Sequence, residues 1–368
     1  MLEKHGHDVA VYTRHSDEIR NGNVAARLWG KVKGALCTVG NPFAARAVAS
    51  LCREFRPEVV HFHNTFPLIS PLAVRAASKY APVVMTLHNY RTACAAGVPT
   101  RDGKVCSLCL DKKCVLDGVK HCCYRGSLLA TLPLAINIAL YRKWLPRWVS
   151  RFLVFSEFQR ERMVTYVSHS EGIAIKPNSI NIGNNVEENR VRLNQIVCVG
   201  RLSPEKGIPT LIEAWRIIGT SLKCRLILIG DGDFRPKYEA NAVGLDIEFV
   251  GKLPNEVVRK MIAASKAVIL PSECWEGMPI TVLESFGEGT PCIVSNLGAL
   301  PEMVKSGELG EVFKAGDPES CAAAIKRLLS RPDYDEMCAI ARREAEAKYS
   351  EEANYTRLME IYGEVASV

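Results

Sequence analysis

The sequence lacks an apolar run of 18 or more residues, so it predicts no membrane-spanning helix. Its most apolar stretch, Leu128–Leu140, is interrupted by Thr131, Pro133 and Asn137. Residues 1–13 carry charges where a signal peptide would need an apolar core, so the chain is expected in the cytosol. Low-complexity tracts and repeats are also lacking, which excludes solenoid, collagen-like and disordered chains.

Aromatic residues make up only 7% of the 368 residues, while 48% are hydrophobic and 24% charged, as in ordinary globular proteins. This length predicts two domains. The net charge of +7 is unevenly spread, because residues 1–190 hold 26 Lys and Arg against 14 Asp and Glu, whereas residues 191–368 come to −5. A basic first half suits an anionic substrate or an anionic membrane surface, with two ordinary solvated surfaces as the alternative. No nucleic-acid partner is expected, since the basic residues are dispersed and no recognition motif appears.

Short apolar runs alternate with longer amphipathic stretches in both halves of the chain. The runs are Val9–Tyr12, Val59–Phe62, Val83–Leu87 and Arg151–Phe155, then Ile196–Val199, Arg225–Ile229, Ile247–Val250, Ala267–Leu270 and Cys292–Val294. Buried parallel strands have this appearance, and alternation with helices predicts two doubly wound α/β domains. We expect a first domain over 1–185, a second over 191–345, and a helix over 351–368 that packs back on the first domain.

The beginning of the chain departs from a complete Rossmann-like domain. Residues 2–7 resemble the end of a helix, with Gly6 as its C-cap, so Val9–Tyr12 is predicted to be the second strand. The first strand and its glycine-rich loop then have no counterpart, and the N-terminus is interpreted as shortened. A first strand is central in this topology, so a loosened first domain is expected.

Two segments of the second half carry chemistry. In Pro271–Gly289, Glu276 precedes a helix that should begin at Pro279, and Glu284 lies inside that helix. A helix N-terminus favours a bound anion, and carboxylates beside it can accept hydrogen bonds from sugar hydroxyls. The alternative is a surface Glu and a solvated helical Glu.

The other segment, Val197–Gly207, follows a predicted strand. Gly200 allows close backbone approach to a ligand, and Arg201 and Lys206 lie at the sheet edge where ligands of parallel sheets bind. Two cations there suit a diphosphate, although ordinary surface charges are the alternative. Asp231-Gly232-Asp233 is interpreted as a turn and not as a metal site.

The pairing of GRLSPEKG (Gly200–Gly207) with EGMPITVLE (Glu276–Glu284), about 70 residues apart, resembles the family 4 retaining glycosyltransferases of the GT-B fold. The same order and spacing appear in other segments, which are VVHFHN (Val59–Asn64), TLHN (Thr86–Asn89), FSEF (Phe155–Phe158), LILIGDGD (Leu226–Asp233), IEFVGKLP (Ile247–Pro254) and PCIVSN (Pro291–Asn296). The resemblance implies two Rossmann-like domains that face each other across a cleft.

The resemblance also implies roles for single residues. Arg201 and Lys206 would neutralise the diphosphate of a nucleotide-sugar donor, and Glu284 would hold the ribose hydroxyls. Glu276 and the backbone N–H groups of Gly277 and Met278 would hold the transferred sugar. His88 would lie near the reacting sugar, whereas His63 is interpreted as structural. No metal or other cofactor is implied for the chemistry.

Six of the 14 cysteines fall within one short segment, at Cys94, Cys106, Cys109, Cys114, Cys122 and Cys123. Without an export signal, disulfides are not expected. The spacing of Cys106 and Cys109 is typical of half a zinc site, which Cys94, Cys114 and Cys123, or His121, could complete. Reduced thiols and an iron–sulphur centre are the alternatives. A subset of the family is similar in having a Cys-rich insert at this place.

The sequence therefore predicts a glycosyltransferase of class EC 2.4 that extends a saccharide or lipid-linked acceptor in cell-surface polysaccharide synthesis. Trp and basic residues flank the apolar run within Leu128–Phe152, which suits a peripheral position on the inner membrane face, with a buried helix as the alternative. Two other functions stay open: a truncated, non-catalytic form that binds nucleotide or a partner, and a GT-B epimerase or phosphorylase.

Overall fold

In the computed structural model, which describes residues 1–19, 24–167, 172–183, 191–219 and 221–367, the apolar runs form two parallel sheets. The chain divides into two units. The first comprises Met1–Arg101, Cys106–Lys176 and Tyr355–Val368, and the second comprises Asp102–Val105 and Pro177–Asn354. The expected boundary at residues 185–191 falls largely on 184–190, which lie outside the described residues.

Up to Lys176 the elements are, in order, α1 (Val24–Val39), α2 (Pro42–Phe55), β1 (Val60–Phe62), α3 (Pro71–Ala77), β2 (Val83–Thr86), β3 (Thr100–Arg101), β4 (Lys104–Val105), α4 (Leu108–Asp111), α5 (Leu116–Lys120), α6 (Leu128–Tyr141), α7 (Leu145–Trp148), β5 (Arg151–Val154), α8 (Glu157–Val167) and β6 (Ile173–Ile175). The sheet of the first unit has the order β1-β2-β5-β6, and all of its pairs are parallel. The residues that follow these strands therefore meet at one edge.

The N-terminal segment corrects one prediction. Leu2–His5 forms a 3₁₀ helix, and Gly6 caps it at φ 82°, as predicted. The strand expected at Val9–Tyr12 is wrong, because this segment is irregular and leaves Val9 and Val11 exposed. Among the described residues, the first strand of the chain is β1.

The elements after Pro177 are β7 (Leu193–Val199), α9 (Ile208–Ile218), β8 (Arg225–Ile229), α10 (Arg235–Asn241), β9 (Ile247–Gly251), α11 (Asn255–Ala263), β10 (Ser265–Leu270), α12 (Ile280–Gly287), β11 (Cys292–Ser295), α13 (Leu300–Val304), β12 (Gly310–Phe313), α14 (Pro318–Leu329), α15 (Tyr334–Tyr349) and α16 (Glu351–Ala366). The parallel sheet has the order β12-β11-β10-β7-β8-β9. One apolar cluster includes Trp215 and Tyr238, and another includes Phe286 and Tyr349.

The last helix contributes to the core of the first unit. Leu358, Ile361 and Val365 of α16 are buried with Val84 of β2 and Leu153 of β5. Burial of an aliphatic side chain contributes roughly 1.5–3 kcal/mol, so this helix is a substantial part of that core. None of the described helices combines the length and apolar character that crossing a bilayer requires.

Candidate functional site

In the second unit, the candidate residues follow two neighbouring strands, β7 and β10. The chain leaves β7 toward β8 and β9, and leaves β10 in the opposite direction toward β11 and β12. Ligands of open parallel sheets bind at such a reversal, outside the carboxyl ends of the strands. Arg201 and Lys206 follow β7, and Glu276 follows β10, so the fold brings the two predicted segments to this position.

Two glycines let the loops at this edge approach closely. Gly207 has φ 68°, and a Cβ there would lie 1.8 Å from the carbonyl oxygen of Pro271. Gly298 has φ 65°, and its Cβ would lie 2.6 Å from the backbone N and O of Glu276. Any larger residue would move the loops that carry Lys206 and Glu276 apart.

Lys206 and Glu276 form an ion pair, with 2.6 Å between Nζ and Oε1 and exposed side-chain fractions of 29% and 14%. The hydroxyl of Ser272 donates to the same carboxylate oxygen over 2.6 Å. Burial opposes the charge of Lys206, but Glu276 outweighs it and raises the pKa of Lys206 above its ordinary value. The ammonium group is therefore a permanent cation at this edge.

Glu284 lies more than one turn inside α12, as predicted, and its carboxylate is buried. The side-chain amide of Asn255, at the start of α11, donates to its Oε1 over 2.6 Å. Sequence reasoning missed Asn255, because nothing in its local sequence marks a partner 29 residues away. This hydrogen bond fixes the direction of the carboxylate.

The remaining predicted residues lie in the loops that follow β7 and β10. Gly277 and Met278 lie in the loop before α12, and the side chain of Asn178 donates to the carbonyl oxygen of Met278 over 3.2 Å. Gly200 directly follows β7, and Arg201 is exposed and forms no ion pair with the described residues. Arg201 is thus a cation that is available to an anionic ligand.

In the first unit, three histidines meet at the carboxyl edge of the sheet. Nδ1 of His63 lies 3.1 Å from Nε2 of His88, and the rings of His61 and His63 stack with 4.2 Å between centroids. His61 lies within 2.7 Å of both the Tyr362 and the Thr86 hydroxyls. His63, expected to be structural, is thus a direct neighbour of the predicted catalytic residue His88.

Desolvation favours the neutral form of these imidazoles, of which His61 is partly buried and His63 and His88 are exposed. It lowers the pKa of His61 to about 3, with His63 and Lys176 adding repulsion. The pKa values of His63 and His88 are also lowered, first by desolvation and then by neighbouring positive charge. Lys176, which follows β6, has a pKa lowered to about 8 by burial. A neutral imidazole can accept a proton or a hydrogen bond, which an imidazolium cannot.

The six clustered cysteines all carry free thiols. Burial raises the pKa of the Cys94 thiol, and it raises that of Cys109 to about 12. Within the described residues, no group of three or more His, Cys, Asp or Glu side chains is arranged to hold a metal ion. The structure therefore does not bring Cys106, Cys114 and the other predicted ligands into one metal-binding group.

Two family models match the chain. Residues 1–184 match the model described as Glycosyltransferase Family 4, and residues 184–346 match the model described as Glycosyl transferases group 1. The first match covers half of the chain. The change from one model to the other falls on residue 184, just after the described residues 172–183.

Curated relatives and solved structures agree with these models. The chain is 27% identical to the sulfoquinovosyl transferase SQD2 of Arabidopsis thaliana, over 47% of this chain and 35% of that protein. It is 25% identical to a phosphatidyl-myo-inositol mannosyltransferase of Mycobacterium leprae, over 69% of each chain. The crystal structure of Anabaena HepE in complex with UDP superposes with a TM-score of 0.62 and 16% identity, over 88% of this chain and 82% of that one. The chain thus spans about a third of the length of SQD2, and the likeness to HepE shows a shared GT-B fold.

Proposed function

Because the chain belongs to the family 4 glycosyltransferases, we propose that it transfers a sugar from a nucleotide-diphosphate sugar to a saccharide or lipid-linked acceptor, with retention at the anomeric carbon. This reaction belongs to class EC 2.4, and we place it in cell-surface polysaccharide synthesis. The observation that carries the proposal is the Lys206–Glu276 ion pair, which lies where the strand order changes direction between β7 and β10. Arg201 lies in the same loop as Lys206.

The second unit is proposed to bind the nucleotide-sugar donor. Arg201 and Lys206 would neutralise the leaving diphosphate, and Gly200 would let the backbone approach it. An ammonium group has three donors, so Lys206 can keep Glu276 and still bind a phosphate oxygen. Cations already in place stabilise developing negative charge without reorganisation, so the chemistry needs no metal ion.

The carboxylates are the proposed sugar contacts. Asn255 holds the buried Glu284 in one orientation, which suits a carboxylate that accepts from two ribose hydroxyls. Glu276, with the N–H groups of Gly277 and Met278, would bind hydroxyls of the transferred sugar. HepE, whose crystal structure contains UDP, supports a uridine nucleotide as the first donor to test.

The first unit is the proposed acceptor unit, with His88 as its catalytic contact. The hydrogen bond between Nδ1 of His63 and Nε2 of His88 fixes the direction of the His88 ring. The lowered pKa of His88 keeps its ring neutral near pH 7, so in the tautomer that donates Nε2–H to His63, Nδ1 can accept a hydrogen bond from a sugar hydroxyl.

An anionic membrane surface is the proposed location of the acceptor. Leu129 and Leu140 of α6 and the nearby Trp144 have exposed fractions of 83%, 52% and 50%. Lys143 and Arg147 flank them, and no Asp or Glu occurs from residue 118 to residue 156. Apolar and basic groups together favour an anionic bilayer at the inner face of the membrane. Leu129→Glu should reduce cosedimentation with anionic vesicles, whereas Val243→Glu, at an exposed position of the second unit, should not.

A structural zinc ion in the cysteine-rich segment stays a prediction. The donor set has the right chemistry, since thiolates are preferred zinc ligands. Within the described residues, however, the cysteine sulphur atoms do not form a preformed metal-binding site. The role would be structural, and no step of the reaction depends on it.

The proposed function is tested by a donor screen with purified full-length chain. Hydrolysis or transfer is measured for UDP-, GDP- and ADP-sugars, and the anomeric configuration of the product is read by NMR. One preferred donor and a product with retained configuration are expected. No turnover and no saturable binding of any nucleotide sugar would contradict the proposal.

A further inference from the structure

The first unit contains a cavity whose charged lining is entirely basic. Residues after β1 and β2 form one side, and α6, α7 and α8 form the other. Arg91, Arg142, His63 and His88 line it, and its described lining includes no Asp or Glu. A cavity with cations and without carboxylates is complementary to an anion.

Arg142 is the cation that is left for a ligand. Arg91 donates to the carbonyl oxygens of Ala95 and Ala96 and lies over the ring of Phe66, so it is occupied by the protein. The guanidinium of Arg142 lies 5.1 Å from the ring centroid of Tyr166 and forms no ion pair with the residues that the structure describes. Its donors therefore have no acidic partner within the described chain.

The hydroxyl of Tyr166 is the second polar group that is available to bind a ligand. Its side chain lines the cavity and is only 8% exposed. The hydroxyl has no hydrogen-bond partner among the described residues. A buried donor without an acceptor costs roughly 1–3 kcal/mol. A phosphate oxygen between Arg142 and Tyr166 would satisfy both groups.

Part of the cavity lining is apolar and comes from a helix that also has exposed apolar residues. Leu134 and Ile138 of α6 line the cavity, and Leu129, Leu132 and Leu140 of the same helix are exposed. A single helix thus presents apolar side chains both to the cavity and to the outside. This arrangement suits an amphiphile with an anionic head and a hydrocarbon chain.

We propose that this cavity binds the phosphate group of an acceptor carried on a lipid, with Arg142 and the Tyr166 hydroxyl as its polar contacts. The inference rests on the proposed function, because it names the substrate class of the acceptor unit. Binding to the cavity does not require turnover, so it can be measured separately.

The test uses farnesyl diphosphate as the probe and isothermal titration calorimetry of the full-length chain. Arg142→Gln should weaken binding about 10- to 100-fold, the range for loss of a hydrogen bond to a charged group. Arg53→Gln is the matched control, since Arg53 is an exposed residue of α2 and does not line the cavity, and the affinity of this variant should stay within about twofold of the parent. Equal losses in both variants would overturn the proposal in favour of diffuse surface charge.

Tyr166→Phe separates a binding role from a structural one. It removes only a buried hydroxyl without a partner among the described residues, so the free protein should be at least as stable in thermal melting. Binding of the probe should nevertheless weaken about threefold or more. A variant that is destabilised but binds the probe normally would overturn the proposed contact. This variant also serves if Arg142→Gln fails to fold.

Inorganic diphosphate and farnesol identify the source of the anion. Each should bind at least about tenfold more weakly than farnesyl diphosphate. Diphosphate as tight as the conjugate would overturn the lipid part, and no saturable binding of any probe would overturn the site. Hydrolysis of the sugar donor, measured in the same preparations, tests the proposed function alone. If the probe binds selectively but no donor is turned over, the cavity proposal stands and the transferase proposal is refuted.

Discussion

Nζ of Lys206 lies 2.6 Å from Oε1 of Glu276, and the two residues come from loops that follow neighbouring parallel strands. The same carboxylate oxygen accepts from Ser272, so a cation, a carboxylate and a hydroxyl converge on one point of the sheet edge. A cation fixed in this way can stabilise a leaving diphosphate without first being oriented.

Lys206→Met should lower kcat/KM for the donor by about 30- to 1000-fold, or roughly 2–4 kcal/mol, as for other losses of preorganised charge stabilisation. The loss should appear in kcat as well as in KM, because the contact strengthens as charge develops. The control is Lys260→Met, at a side chain that is 75% exposed in a pair with Glu256. Steady-state kinetics measures both, and a Lys206 variant within twofold of the parent refutes the assignment.

Asn255→Ala should raise KM for the nucleotide sugar roughly tenfold and leave kcat nearly unchanged. Its amide orients Glu284, and a ribose contact is equal in the ground and transition states. The hydrogen bond involves a charged acceptor, which corresponds to roughly 1.5–3 kcal/mol. Asn194→Ala, at an exposed position near the start of β7, is the control. A fall in kcat at constant KM would argue against a ribose role.

Gly207→Ala should destabilise the second unit more than Gly244→Ala. Both glycines have positive φ, at 68° and 82°, so both substitutions cost roughly 1–2 kcal/mol of backbone strain. Only at Gly207 would the added Cβ also lie 1.8 Å from the Pro271 carbonyl oxygen, whereas no atom lies within 4 Å of a Cβ at Gly244. Denaturant unfolding measures the difference, and equal losses would show that the loops can separate freely.

His61 should make the first unit less stable as pH falls from about 6.5 toward 3. Its folded pKa of about 3 lies below the unfolded value of 6.5, so only the unfolded chain takes up its proton in this window. The slope for one such proton is up to about 1.4 kcal/mol per pH unit. His61→Gln should therefore unfold with a shallower pH dependence between pH 6.5 and 4.5. Parallel stability curves for the two proteins would refute this.

If the cysteine-rich segment binds zinc, the purified protein should contain about one equivalent by mass spectrometry. Cys106→Ser should then lose the metal and lower the melting temperature of the first unit, because tetrahedral sites need all four ligands. Cys122→Ser is the control, since Cys122 is not among the predicted ligands. Metal-free protein with unchanged melting would favour reduced thiols.

The strand pattern of the second half could be predicted because most of its strands contain an apolar run. The predicted Arg225–Ile229 matches β8 at both ends. Strands β6 and β12 were not predicted, although they are as long as β1 and β11, and β12 begins with Gly310 and Glu311 and so lacks a continuous apolar run. Val9–Tyr12 shows the opposite error: this short apolar run predicted a buried strand, but among the described residues no neighbouring strand pairs with it, and Val9 and Val11 are exposed.

The candidate site was predictable only where its residues share a local motif. Lys206, Glu276 and Glu284 lie in segments whose spacing carries a resemblance. Asn255 lies outside these segments, and its partner is 29 residues away. His63 lies inside VVHFHN, but its contact with His88 depends on the register of two strands. His63 meets His88 since β1 and β2 are parallel, with Phe62 opposite Met85.

The contribution of α16 to the first core has a consequence for synthesis on the ribosome. The first unit cannot bury Val84 and Leu153 against Ile361 until the whole second unit has been translated. At 5–20 residues per second this delay is roughly 10–35 s. During that interval the four strands of the first sheet have been translated, but the helix that packs on Val84 and Leu153 has not. Completion of the first unit is therefore post-translational, and a nascent chain stalled before Tyr355 presents an open apolar face to chaperones.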